Sequence, residues 1–315
     1  FYGVDIKMNL NANLIKELRE KSGAGIVDCK NALLENDNDI DKSIDWLRKK
    51  GLSVAAKKSG RVAAEGLVGV HISDNQACLI EINSETDFVS RNEQFQKFVC
   101  DCSKIALTTN GDLESLLKSK FFENDNTVED ELTKNIAIIG ENLNIRRISK
   151  ITLNEPGLIV SYVHNSVCEN LGKIAVILSL KSNADRNSLE SIGKKIAMHI
   201  AASNPISLDI ESLDPKIVDK EKQVLIEQAI SSGKPKDIAE KMVEGRVRKF
   251  CEDVVLLEQT FVIDGKSKIK DVLKEFSNKL GTEVSIDSFR MLILGQGIEV
   301  EEKDFAAEVA ATANN

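Results

Sequence analysis

The chain has 315 residues, 42% of them hydrophobic and 29% charged, which supports sizeable buried cores and excludes a disordered chain. At about 100–200 residues per domain, that length predicts two or three domains. A formal net charge of −8 argues against a general nucleic-acid binder, which draws its non-specific affinity from phosphate contacts, and no apolar run approaches a membrane span.

Residues 1–7 are too short for a signal or transit peptide, and Met8 reads as the natural start. Residues 9–50 read as three helices. Leu14 and Leu18 share a face of the first, and Ser22-Gly23-Ala24-Gly25 breaks it. Ile26, Cys29 and Leu33 recur at helical spacing in the second. Asp37-Asn38-Asp39 supplies turn and cap chemistry. Ile40, Ile44 and Leu47 then stripe a third helix that should end near Gly51. So small a unit buries little core and suits docking. Residues 52–65 read as a linker with helical leanings. From Gly66 the pattern changes: 67–72 and 77–82 read as strands around a Ser73-Asp74-Asn75 turn.

Next comes Asn83-Ser84-Glu85-Thr86-Asp87-Phe88-Val89. Ser90 followed by Glu93 has the order of a capping box, which predicts a helix from Ser90 with Phe95, Phe98, Val99, Cys102 and Ile105 on one stripe. Thr86-Asp87-Phe88 then occupies a strand-to-helix turn. A phenylalanine there either folds back into its own core, as most large apolar residues do, or projects as a wedge for a partner. The local pattern leaves both open.

A helix at 128–139 and a strand at 145–153 follow. Residues 157–203 repeat the layout, with strands at 158–164 and 173–180 and a helix at 189–202. A strand pair followed by a helix, twice over, predicts two related α+β subdomains. Residues 215–254 read as an antiparallel helical hairpin. Val218, Leu225 and Ala229 stripe one arm, Val243, Val247, Phe250 and Val254 the other, and 231–235 turn between them. Narrow stripes with charged flanks suit an arm projecting from the body. A strand at 259–263, a helix at 269–280, a strand at 283–294 and an alanine-rich amphipathic tail around Phe305 complete the chain.

Sites for covalent chemistry are poorly represented. Of the three histidines, His199 shares a helical stripe with Ile192 and Ile196 and reads as a core residue; His71 lies on a strand without a partner, and His164 ends one. Six scattered cysteines fit a reducing cytoplasm, and Cys100-x-Cys102 has no second pair to complete a metal site. Gly265-Lys266-Ser267 resembles the end of a P-loop, but Thr260 stands where its first glycine belongs. The short basic pairs Lys49-Lys50, Lys57-Lys58 and Arg146-Arg147 read as solvated faces or protein contacts. A protein-binding factor is favoured over an enzyme, with no cofactor or metal.

Seven motifs, in order, then point to one family. They are Leu18-Arg19-Glu20-Lys21-Ser22-Gly23-Ala24-Gly25-Ile26-Val27-Asp28-Cys29-Lys30-Asn31-Ala32-Leu33, Glu85-Thr86-Asp87-Phe88-Val89, Gly140-Glu141-Asn142-Leu143-Asn144-Ile145-Arg146-Arg147, Met198-His199-Ile200-Ala201-Ala202-Ser203-Asn204-Pro205, Ser232-Gly233-Lys234-Pro235, Lys241-Met242-Val243-Glu244-Gly245-Arg246 and Asp304-Phe305-Ala306-Ala307-Glu308-Val309-Ala310. Together they resemble bacterial elongation factor Ts, the guanine-nucleotide exchange factor for elongation factor Tu, over about residues 9–309.

The resemblance implies an α+β protein. Its parts are a three-helix bundle like ubiquitin-associated domains (8–55), a linker (56–65), core subdomains at 66–154 and 155–295 with the hairpin 215–254 inserted in the second, and a C-terminal helical module (296–315). It implies that Thr86, Asp87, Phe88 and Val89 form the exchange element, entering the partner near its nucleotide and magnesium site. Ile26, Val27 and Lys30 are implied to dock on the GTPase domain, with His164 and Phe305 as further contacts. Relatives carry a short glycine-rich turn where this chain has Asn165-Ser166-Val167-Cys168-Glu169-Asn170. The implied partner is elongation factor Tu, with no direct nucleotide, nucleic-acid or membrane binding. Some members dimerise through the second core subdomain, which leaves a homodimer or a two-plus-two complex open. The alternative from another class is a ubiquitin-associated-type adaptor without exchange activity, which leaves the Thr86-Asp87-Phe88 turn unexplained.

Overall fold

The computed structural model describes residues 12–122, 126–233 and 236–299, with 236–240 as backbone alone. The amino-terminal unit is built from α1 (Ala12–Ser22), α2 (Ile26–Glu35) and α3 (Ile40–Lys58). Leu18, Cys29, Ala32 and Leu33 form its buried centre, ringed by Leu14, Ile15, Ile40, Ile44, Trp46 and Leu47. Asp37 and Asn38 take left-handed conformations in the tight turn before α3, and Asp39 then caps that helix by accepting the Lys42 N–H at 3.0 Å.

The third helix does not end at Gly51. It runs seven residues further, to Lys58, across what the pattern suggested was linker. A glycine inside a helix costs about 1 kcal/mol, which tertiary contacts readily outweigh. Here Gly51 lies against Thr133 and Ala137, Ala55 packs on the neighbouring core, and Arg48 reaches Asp130 at 2.8 Å.

Seven strands are described: β1 (Glu65–Ser73), β2 (Gln76–Ser84), β3 (Asn144–Thr152), β4 (Gly157–His164), β5 (Leu171–Gly172), β6 (Ile174–Lys181) and β7 (Ser285–Ile293). They make two antiparallel sheets, ordered β3-β2-β1-β5 and β4-β6-β7. Alternation along each strand gives each sheet two apolar faces. Ala77 and Leu79 of β2, with Val68 and Val70 of β1, face Ile159, Ala175, Ile177 and Leu292 of the other sheet. Cys78, Ile80 and Ile82 point the other way, into a core with Phe95, Phe98, Val99 and Cys102. The short strand β5 follows β4 in the chain yet pairs with β1, so the two sheets do not partition the chain cleanly at residue 155.

Helices cover the outer faces. The first sheet carries α4 (Glu93–Thr108), α5 (Leu113–Lys118) and α6 (Val128–Ile139); the second carries α7 (Arg186–Ser203), with α10 (Ile269–Leu280) sharing its core. Both α4 and α7 come close over a glycine. A side chain at Gly69 would meet Val99 at 2.9 Å, and one at Gly193 would meet Val160 at 2.9 Å. The fold is thus α+β, in four layers of helix, sheet, sheet and helix.

Between α7 and α10 run α8 (Pro215–Ser231) and α9 (Lys236–Val254). They pack on one another, with Leu225, Ala229 and Val243 buried. Three hydrogen bonds pin the base: Ile206 N–H to the Val254 carbonyl and Leu256 N–H to the Ser207 carbonyl, both 2.9 Å, and Leu257 N–H to the Leu208 carbonyl at 3.0 Å. Residues 259–263 are not the predicted strand. A single bridge, Thr260 to Lys268, is formed there, and the segment turns back on itself through Phe261 N–H to the Ser267 carbonyl at 2.8 Å. Its apolar character reflects Phe261 entering the core beneath α7.

One buried charge ties the two sheets together. Glu81 continues the inward side of β2 and is wholly buried. Its carboxylate meets Arg146 at 3.2 Å, also takes a hydrogen bond from Arg147 Nε, and accepts the Gly295 N–H at 2.8 Å. The two arginines extend onward to the Gln296 and Ile293 carbonyls, each at 2.7 Å. The Arg146-Arg147 pair is therefore an internal clamp between β3 and the end of β7 rather than a solvated basic face. Removing one partner of such a cluster strands the others. Because the arginines retain 25% and 31% exposure, Glu81→Ala is expected to destabilise the fold by about 3 kcal/mol, the low end for buried pairs. Urea unfolding with an unchanged m-value would register it, and an unaltered midpoint would refute the clamp.

Candidate functional site

The turn after β2 is held from three directions. Ser84 Oγ donates to the Thr86 carbonyl at 2.9 Å, and Ser90 Oγ to the Asp87 carbonyl at 2.6 Å, closing a single 3-10 turn over Asp87–Arg91. Val89 drops into the core shared with Leu67 and Phe95. The predicted capping box does not form: Ser90 is used inside the turn, and Asn92 caps α4 instead, accepting the Phe95 N–H at 3.0 Å. The physical reason is that Ser90 is itself buried, with its carbonyl held by Gln96 Nε2 at 2.9 Å, so it cannot stand at the helix entrance.

The third hold comes from a distant part of the chain. Gly140, in a left-handed conformation, ends α6 and sends Glu141 toward the turn. One oxygen of Glu141 accepts the N–H groups of Glu85 (3.0 Å) and Thr86 (2.9 Å), and the other accepts the Thr86 hydroxyl at 2.6 Å. Glu85 answers by accepting the Asn142 N–H at 2.6 Å and pairing with Arg61 at 3.5 Å. Asn142 Nδ2 donates to the Arg61 carbonyl at 2.7 Å. Two carboxylates 56 positions apart thus each bind backbone of the other's segment, Glu141 that of Glu85 and Thr86, and Glu85 that of Asn142.

On this frame Asp87 is exposed and Phe88 stands 76% exposed. Burying a phenylalanine is worth about 1.5–3 kcal/mol, which the fold forgoes here while holding the surrounding backbone tightly. Of the expected element, Asp87 and Phe88 face solvent, Thr86 is half-buried in the clasp, and Val89 is buried. Val89 anchors the turn from below and offers no side-chain surface to a partner.

The other candidates lie on separate elements. Cys29 and Leu33 point inward from α2, whereas Ile26 and Val27 are 55% and 69% exposed with Lys30 beside them. Ile26 therefore belongs to the outer face of α2, not to the buried stripe that its spacing suggested. His164 ends β4 in an exposed position, with Nδ1 3.2 Å from the Tyr162 hydroxyl, and Asn165 beyond it is left-handed. Phe305 lies outside the described residues.

Among the described residues no group of three or more histidine, cysteine or acidic side chains could hold a metal ion, and no helix is long and apolar enough to cross a membrane. Burial pushes the Cys78 thiol up to about 12 and raises Cys102 well above the ordinary range, so neither supplies a thiolate. His199 is wholly buried. Its Nε2 lies 2.9 Å from Gln259 Oε1, and its Nδ1 accepts the Val262 N–H at 3.3 Å.

The most exposed aromatic side chain of this site thus sits on a Glu-Thr-Asp-Phe-Val turn clasped by a Gly-Glu-Asn segment. A family model described as elongation factor TS matches residues 85–296, which begins at Glu85 and takes in both segments. The chain belongs to the elongation factor Ts family. Elongation factor Ts of Rhodospirillum centenum is 51% identical over 304 residues, covering 96% of this chain and 99% of that protein. Elongation factor Ts of Allorhizobium ampelinum is 49% identical over 304 residues (96% and 98%), and that of Rhizobium meliloti 46% over 306 residues (97% and 99%). Membership places the chain among translation elongation factors.

Glu141 and Arg61 carry no local sequence signal of a part in this site. The Gly140-Glu141-Asn142 motif was visible, but nothing in its neighbourhood announces a partner 55 positions earlier.

The buried histidine has a testable consequence. Desolvation lowers the His199 pKa below its ordinary 6.5, with the Gln259 bond opposing it in part. The unfolded chain therefore binds this proton more readily than the folded one. Its contribution to stability is complete above pH 6.5 and is lost as pH falls below that toward the lowered folded value. Thermal unfolding midpoints should drop on acidification through this window in the parent and drop less in His199→Gln. Equal drops would rule His199 out as the source.

Proposed function

We propose that the chain promotes release of GDP from elongation factor Tu and so allows reloading with GTP, acting through the Asp87-Phe88 turn. The observation that carries this reading is a phenylalanine kept in solvent by a turn whose backbone is fixed on every side. Loops held by rigid scaffolds are where binding residues concentrate.

A P-loop GTPase grips GDP through backbone amides, a lysine and a bridging magnesium ion. An exchange factor needs no covalent step. It binds the nucleotide-free state more tightly than the GDP state, and linkage requires that it weaken GDP by the same factor. Phe88 would act as a wedge beside the phosphate site, with Asp87 bonding to groups that the displacement exposes and disturbing the magnesium shell. The 8–55 bundle would supply docking energy through Ile26, Val27 and Lys30, joined by His164 and by the 296–315 module through Phe305. The remaining units would divide as 66–154 and 155–295, with the hairpin 215–254 as an appendage and the cytoplasm as the site of action.

Release of a fluorescent GDP analogue from elongation factor Tu tests this. Phe88→Ala should lower the maximal release rate about tenfold or more, the usual effect of losing a central aromatic contact, with the melting temperature unchanged. Asp87→Ala should lower it in the same direction. A folded Phe88→Ala protein as fast as the parent would sink the wedge. Docking is better probed by Val27→Asp than by deleting residues 1–55, which would cut through α3 and uncover α6. Val27→Asp should raise the half-saturating concentration while leaving the maximal rate intact; an unchanged concentration would argue against docking by α2.

A further inference from the structure

We infer that Glu141 is a positioning residue for exchange: it sets the reach and angle of Phe88 by holding the turn's backbone, without touching the partner. The inference rests on the exchange reading above. Glu141 gathers three donors of the turn's first residues onto one carboxylate, two backbone N–H groups and the Thr86 hydroxyl, all at 2.6–3.0 Å. Charge-assisted bonds of this kind are shorter and about twice as strong as neutral ones. Only one residue separates Thr86 from Phe88.

The turn needs such a hold because of what lies on its two sides. Beyond Phe88 it is anchored through burial, by Val89 and Ser90. Before Phe88, β2 ends at Ser84, and the N–H groups of Glu85 and Thr86 have left the sheet ladder. Without Glu141 those two donors would turn to water, and the backbone just ahead of Asp87 would be held only by the Ser84 hydroxyl on the Thr86 carbonyl, a single neutral bond that leaves more freedom than the clasp. A wedge works only if the partner, rather than the wedge, gives way. Misplacing such a group by about 1 Å can cost on the order of a hundredfold in rate.

The clasp is also reciprocal. Glu85 holds the Asn142 N–H at 2.6 Å and pairs with Arg61, while Asn142 holds the Arg61 carbonyl. The segment just after α3, the end of α6 and the exchange turn therefore form one polar unit. Lys58, the last residue of α3, adds a bond to the Gly140 carbonyl at the foot of the same unit.

The test is a set of release assays over a range of factor concentrations, with unfolding midpoints measured for every variant. Glu141→Ala should lower the maximal release rate about tenfold, the effect of losing hydrogen bonds to a charged group, while the half-saturating concentration stays within about twofold. Glu141→Gln should restore most of the rate. Its amide oxygen can still accept both backbone N–H groups, and the Thr86 hydroxyl can reverse its role and accept from the amide NH2. Thr86→Val, which removes a single donor, should fall between Glu141→Gln and Glu141→Ala, and serves if Glu141→Ala does not fold.

The double variant Phe88→Ala/Glu141→Ala decides how Glu141 acts. If it acts only by aiming Phe88, the double variant releases GDP no more slowly than Phe88→Ala alone. Losses that stay additive when Asp87 is alanine as well would show an independent contact with the partner and overturn the inference. So would a Glu141→Ala protein, or failing that a Thr86→Val protein, with parental kinetics in a series where Phe88→Ala is slow. If Phe88→Ala itself were as fast as the parent, the exchange reading would fall instead, which separates the two failures.

Discussion

The fold depends on two antiparallel sheets stacked through their inner apolar faces. Val68, Val70 and Leu79 meet Ile159, Ile177 and Leu292 across that interface. Strands that are apolar on one side can leave the other wet, but here the alternate positions are apolar as well. Each sheet therefore needs helices outside it, and α4 and α7 supply them. The charge of Glu81, directed inward from β2, is admitted because two arginines and a backbone N–H meet it there. Shape and charge thus agree on one relative placement of the sheets.

That placement explains why the Asp87-Phe88 turn is stiff. β2 lies between β1 and β3, so the strand that delivers the turn is hydrogen-bonded along both edges. Val89 continues into the core that α4 closes, and α4 begins immediately afterwards at Asn92. The turn is short, anchored at one end by burial and at the other by Glu141. Keeping an aromatic side chain in solvent on such a platform is the arrangement expected of a preorganised contact, since the ordering cost of binding has already been met in folding.

Continuity of α3 with the body bears on how docking and exchange are related. The amino-terminal bundle packs on the body through α3. Its last helix lies along α6 and ends beside the clasp around Arg61, Glu85 and Asn142. On the proposed reading, the surface of α2 that meets the GTPase and the turn that opens its nucleotide site are carried by a single framework. The α8–α9 pair differs: its buried residues serve mainly to hold the two helices together, and it joins the body at a narrow base.

Much was determined by the sequence alone. Helical spacing placed the three amino-terminal helices, short apolar runs bounded by turn residues placed most of the strands, and the ordered motifs identified the family, because periodicity and turn chemistry are local properties. Phe88 was singled out on the same basis, but local pattern could not say whether it was buried or exposed. Tertiary structure decided that, by using Val89 and Ser90 to fill the core beneath it. It likewise carried α3 past Gly51, where packing on α6 outweighs a weak helix former, turned 259–263 into a loop that feeds Phe261 inward, and moved the cap from Ser90 to Asn92. Most of all, it brought Glu141 to the turn and Glu81 to its arginines. These are contacts between residues more than fifty positions apart, and one-dimensional spacing carries no record of which distant carboxylate will find which unpaired backbone donor.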